Sequence, residues 1–199
     1  MAGQRQDPRL SAINSIFSVK QMLSAGLQLF PASYPVAGAP FGTAGHTSSV
    51  SLSADFKFAL VPHYELANLE VFKVGSDGSF TAVPGSPFPG GNAASYAISD
   101  PANKFVFLLN PSGYNQSGTE SISVYKLDDN SGTLTQVQGS PFGLTAEGAH
   151  LRIDPSGKFL YVVGDVLQGF SVDQNSGKLT ALSGSPIGTK VADAAIVKQ

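Results

Sequence analysis

From Gly148 to Leu182 the chain sets short apolar blocks between short polar turns, and the blocks carry strand-forming residues. Gly148 to Ile153 predicts a strand that ends at Asp154-Pro155-Ser156-Gly157, where Pro presets φ and Gly accepts a positive one. Lys158 to Val163, rich in β-branched and aromatic residues, predicts a second strand. Val166 to Asp173 predicts a third, and the turn Asn175-Ser176-Gly177 leads into a fourth, Lys178 to Leu182. Gly184-Ser185-Pro186 is then expected to break the sheet, because proline cannot donate to a ladder.

The same order of blocks recurs. Gly38-Ala39-Pro40-Phe41, Gly85-Ser86-Pro87-Phe88, Gly139-Ser140-Pro141-Phe142 and Gly184-Ser185-Pro186-Ile187 are spaced by 47, 54 and 45 residues. Ser53-Ala54-Asp55-Phe56-Lys57-Phe58 aligns with Asp100-Pro101-Ala102-Asn103-Lys104-Phe105 and with Asp154-Pro155-Ser156-Gly157-Lys158-Phe159. A turn with glycine comes later in each unit, at Gly78, Gly132 and Gly177. Lys57, Lys104 and Lys158 are therefore expected at equal positions opening the second strand, with Phe58, Phe105 and Phe159 packed between sheets. The second unit is longer because 110–119 has the composition of a loop. Four antiparallel strands in about 45 residues describe a propeller blade.

The phrases Asp154-Pro155-Ser156-Gly157-Lys158-Phe159-Leu160-Tyr161-Val162 and Gly177-Lys178-Leu179-Thr180, together with the Gly-Ser-Pro-Phe copies, resemble the seven-bladed β-propeller lactonases. That group includes propeller-type 6-phosphogluconolactonase and the fungal carboxymuconate cyclases, and the resemblance covers 38–199. The expected fold is all-β, a propeller-type array with blades at about 38–84, 85–138 and 139–183. A fourth blade would be shared between the termini. Its innermost strand would be 191–197, within the closing segment 184–199, and its other strands would come from 13–19 and 27–30 in the poorly matching segment 1–37. Four blades are fewer than the resemblance implies. The alternatives are a small closed four-bladed ring, a larger ring completed by a second copy, and the C-terminal part of a longer propeller. An incomplete or self-associating propeller is expected over a closed monomer.

Composition narrows the function. The chain is 42% hydrophobic and only 13% charged, with a net charge of −2, which gives ample core and no basic footprint for nucleic acid. It has no cysteine, so disulfides and thiolate metal sites are ruled out. No apolar run approaches the roughly 18 residues of a membrane span, and no signal-peptide pattern opens the sequence. The cytoplasm is the default expectation.

Three histidines are available. His46, His63 and His150 suit no metal motif, and neither metal nor cofactor is expected. His46 and His63 read as loop or strand-end residues. His150 matches the histidine of a Gly-Pro-Arg-His-like phrase that the resemblance places at the start of an inner strand. The resemblance also implies an arginine where Ala149 stands, a glutamate where Asp165 stands, and a histidine of the preceding blade near Ser95 or Tyr96. Lactone hydrolysis needs a base for water and a cation for the developing oxyanion. His150 or Asp165 could be the base; Arg152, two residues along the same strand and so on the same side as His150, is the nearby cation. The bland alternative bonds His150 and Arg152 to the next blade. Two functions are carried forward: a catalytically impaired or partial lactonase-like propeller serving as a binding or assembly scaffold, and a hydrolase of a sugar lactone such as 6-phosphogluconolactone. In either, a small carbohydrate-like ligand is expected.

Overall fold

The computed structural model describes residues 46–91, 93–112 and 119–188. The closing strands expected at 13–19, 27–30 and 191–197, and the phrase beginning at Gly38, lie outside these residues. Three antiparallel sheets follow one another along the chain. The first runs β1 (Ser51–Leu52), β2 (Phe58–His63), β3 (Asn68–Val74), β4 (Phe80–Ala82) and adds β5 (Phe88–Pro89). The second runs β6 (Tyr96–Ser99), β7 (Phe105–Asn110), β8 (Ser121–Leu127), β9 (Leu134–Gln136) and adds β10 (Phe142–Gly143). The third is β11 (Gly148–Ile153), β12 (Phe159–Gly164), β13 (Leu167–Val172) and β14 (Leu179–Ala181). These are propeller-type blades, and no helix among the described residues is long and apolar enough to cross a membrane.

The strands of the third blade fall within two residues of their expected bounds. Each of the three lysines immediately precedes its second strand rather than opening it. All three hold one position, since the carbonyls of Lys57, Lys104 and Lys158 accept from Val74, Leu127 and Val172. Asp100 and Asp154 cap their own turns: Asp100 Oδ1 accepts from the backbone of Lys104 and Phe105, and Asp154 Oδ1 from that of Phe159.

The Gly-Ser-Pro phrases do not end the sheets. Each is a turn with a cis Ser-Pro bond, and its serine hydroxyl accepts the N–H of Val71, Val124 or Gly169 on the third strand. The proline stays in the turn, so the residue after it can rejoin the ladder. Phe88 pairs with Leu69, Phe142 with Ile122, and Ile187 forms a bridge with Leu167.

Side chains alternate along each strand, and both faces of the middle blade are apolar. Phe58, Leu60, Leu69 and Val71 of the first blade pack on Val106, Leu108, Tyr125 and Leu127 of the second. On the far face, Phe105, Phe107, Leu109 and Val124 pack on Leu151, Leu160, Val162 and Phe170 of the third. Burying each such side chain contributes about 1.5–3 kcal/mol.

One contact repeats between blades. Gly132, at φ 77°, lies so close to Phe58 that an added Cβ would sit 2.5 Å from the ring; Gly177, at φ 74°, relates to Phe105 in the same way, at 2.7 Å. Phe58 and Phe105 are accordingly 0% and 3% exposed. Phe159, expected to be packed like them, is 38% exposed, because among the described residues no following blade brings a turn over it.

The crossovers between blades are clasped by buried amides. Asn110 Oδ1 accepts Gly91 N–H at 3.0 Å, and Gln168 Oε1 accepts Thr145 N–H at 2.8 Å. Both donors stand three residues after the phenylalanine of the phrase. Asn110, read from composition as the start of a loop, is thus the last residue of β7 and fully buried.

Candidate functional site

The innermost strands of neighbouring blades lie side by side, and their residues at alternate positions form a stripe that is polar except at Ile98, which packs on the apolar cluster. In the first blade these are Ser49 and Ser51, whose hydroxyls donate to the carbonyls of Ser95 at 2.9 Å and Ala97 at 2.6 Å on the second blade. Tyr96 and Ile98 hold the same positions in the second blade, and His150 and Arg152 hold them in the third. Register fixes this equivalence: Ser51, Ile98 and Arg152 each pair with the residue two beyond the second-strand phenylalanine, namely Leu60, Phe107 and Tyr161.

β11 is shaped by its first residues. Gly148 pairs with Gly164 and His150 with Val163, so Ala149 is an extra, exposed residue in a bulge. A side chain at Gly148 would meet Val162 at 2.5 Å, and one at Gly164 would strike the Glu147 carbonyl at 2.1 Å. The entry of β11 and the exit of β12 are therefore pressed together. Beyond the bulge, strand alternation puts His150 and Arg152 on one side and Leu151 in the apolar cluster on the other.

His150 and Arg152 converge on Tyr96. The rings of Tyr96 and His150 meet edge to face with centroids 5.3 Å apart and planes at 81°. Arg152 Nη1 donates to Tyr96 Oη at 3.4 Å and to the Leu151 carbonyl at 3.0 Å. These contacts run to the preceding blade. Asp165 stands apart from this group: it is exposed in the turn after β12, and its backbone N–H donates to Glu147 O at 3.2 Å. Tyr96 was visible in the sequence only as a place where no histidine stood. Counting eight residues on from Phe88 and Phe142 puts it level with His150.

The other two histidines lie on the first blade. His63, the last residue of β2, is fully buried, and its Nε2 lies 2.8 Å from Glu70 Oε2. Asn110 and Ser123 are joined at the same two positions in the second blade, which marks the pair as a structural tie. His46 is exposed and paired with Glu65 at 2.9 Å. Among the described residues, no three metal-binding side chains converge.

The family model for the seven-bladed β-propeller lactonases matches residues 79–194. No curated protein matches the chain. Solved structures share its fold. A candidate 6-phosphogluconolactonase from Bacteroides fragilis is 21% identical with a TM-score of 0.66, over 76% of this chain and 42% of that one. A second, from Bacteroides uniformis, is 16% identical with a TM-score of 0.64, over 74% and 42%. The periplasmic gluconolactonase PpgL of Pseudomonas aeruginosa is 22% identical with a TM-score of 0.57, over 69% and 40%. The match thus spans about two fifths of each of these proteins.

Proposed function

This chain belongs to the seven-bladed β-propeller lactonase family, and from that premise we propose that its polar stripe binds a sugar lactone and hydrolyses it. The observation that carries the reading is the meeting of His150 and Arg152 at Tyr96, on adjacent innermost strands. His150 takes a proton from water as the water oxygen bonds to the lactone carbonyl carbon. Arg152 faces the oxyanion that forms there. Collapse breaks the bond to the ring oxygen, which takes the proton back from the imidazolium and leaves the open hydroxy acid. Asp165, exposed in the turn beyond Gly164 and apart from His150 and Arg152, takes no part in this proton transfer. Ala149 supplies no second cation, so a slow enzyme is expected; removing one oxyanion donor typically costs about 10²–10³ in rate.

Nothing in the geometry specifically favours the alternative of a non-catalytic assembly scaffold. The proposal takes a second copy of the chain as the partner that covers the exposed Phe159. Light scattering tests this: a dimer supports it and a monomer removes it.

The names of the solved relatives supply two probes, glucono-1,5-lactone and 6-phosphogluconolactone. Hydrolysis above the spontaneous rate, abolished by His150→Ala, is the expected result, because a positioned base contributes about 10²–10⁴-fold. A His150→Ala variant as active as the parent would overturn the assignment.

A further inference from the structure

We infer that Tyr96 is a positioning residue that holds Arg152 and His150 as one unit, so that the site is built across two blades. The inference rests on the functional reading above for its catalytic consequence, but its geometric content stands separately. Arg152 and His150 are two residues apart on one strand, where the Leu151 carbonyl holds the guanidinium but makes no contact with the imidazole. Tyr96 joins the two from the neighbouring strand by two different contacts. Its hydroxyl oxygen accepts from Arg152 Nη1 at 3.4 Å, while the Leu151 carbonyl accepts from the same nitrogen at 3.0 Å. Its ring meets the imidazole edge to face at 5.3 Å, which restricts rotation of His150.

The first blade shows what the same positions do when they carry no such group. There Ser49 and Ser51 simply tie one innermost strand to the carbonyls of the next. Tyr96 replaces that direct tie with a side chain long enough to reach both residues of the following blade. Because its oxygen accepts from a cation, the phenolic proton is left to donate to an oxygen in front of Arg152. The two contacts can be separated by mutation, since Tyr96→Phe removes the first and keeps the second.

The test uses the full chain with Tyr96→Phe and Tyr96→Ala. In NMR spectra, Tyr96→Phe should alter the Arg152 guanidinium signals and leave the His150 ring protons nearly in place; Tyr96→Ala should move both. With the two lactones, Tyr96→Phe should lower kcat by about ten-fold, roughly the loss of one hydrogen bond to a charged group, with little change in KM. Unchanged Arg152 signals in Tyr96→Phe would overturn the inference, as would a parental kcat in an active enzyme. A parent chain that hydrolyses neither lactone would remove the functional reading, while the NMR comparison would still decide the role of Tyr96.

Discussion

Gly177 of the third blade lies against the ring of Phe105 of the second, close enough that a Cβ on the glycine would sit 2.7 Å from Cε1. Its φ of 74° is also one that L side chains resist. Gly177→Ala therefore meets two penalties, and Gly184 separates them, since it has φ 79° but nothing within 4 Å of an added Cβ. In urea denaturation, Gly184→Ala should cost about 1–2 kcal/mol, the backbone share alone. Gly177→Ala should cost about 1–3 kcal/mol more, the price of overpacking. Equal losses at the two positions would mean that the close approach to Phe105 carries no energy.

The buried amides make a second prediction. Asn110 Oδ1 accepts Gly91 N–H, and its Nδ2 donates to Ser123 Oγ at 2.9 Å. Asn110→Ala leaves the Gly91 N–H without its acceptor and takes one of the bonds from Ser123 Oγ, and losing a buried hydrogen-bond partner costs about 1–3 kcal/mol. A substantial drop in the denaturation midpoint is expected. A loss of unfolding free energy below about 1 kcal/mol would show that the clasp is dispensable.

A surface ion pair and a buried hydrogen bond of the same length should differ in worth. Lys57 Nζ lies 2.8 Å from Asp129 Oδ2, with both side chains half exposed. His63 Nε2 lies 2.8 Å from Glu70 Oε2, with exposures of 0% and 14%. Water screens the first, so Asp129→Asn should change stability by less than about 1 kcal/mol. His63→Ala opens a buried space and leaves Glu70 without its hydrogen-bond partner, and should cost about 3 kcal/mol or more. Thermal unfolding of the two variants under identical conditions decides the order.

Acid should weaken the blades through their turns. The backbone N–H groups of Ser131 and Asn130 hold the Asp128 carboxyl below the usual carboxylate range, and those of Ser176 and Asn175 do the same for Asp173. At Asp154, burial pushes the carboxyl up, but bonds from Ser156 and Phe159 outweigh it and the net direction is down. A carboxyl depressed in the folded state contributes stability that is whole above its unfolded value, near about pH 4. That stability is lost as the pH falls through the lower folded value. The parent should lose melting temperature below about pH 4, and the double variant Asp128→Asn, Asp173→Asn should lose less over the same interval. Parallel losses would assign acid sensitivity to other groups.

The blades were legible in the sequence because their punctuation is chemical. Asp-Pro-Ser-Gly and Asn-Ser-Gly demand turns wherever they occur, and the apolar blocks between them have few alternatives to strands. Composition misled at Asn110 and at the Gly-Ser-Pro phrases, where loop-forming residues stand beside buried ladder positions that only the register reveals. The exposure of Phe159 was hidden for another reason: it depends on what lies on the next blade, not on its own unit. The same holds at the site. His150 and Arg152 could be placed on one side of a strand by alternation, but Tyr96 meets them from 54 and 56 residues away.

The contact between turn glycine and strand phenylalanine has a direction. At both described joints the earlier blade offers its phenylalanine and the later one its glycine, so these blades fit in one order and not in the reverse. An array built on such a joint can gain or lose a unit at a seam without redesigning the faces on either side. Duplication of a single unit, in evolution or in the laboratory, would present a ready-made junction at both of its ends.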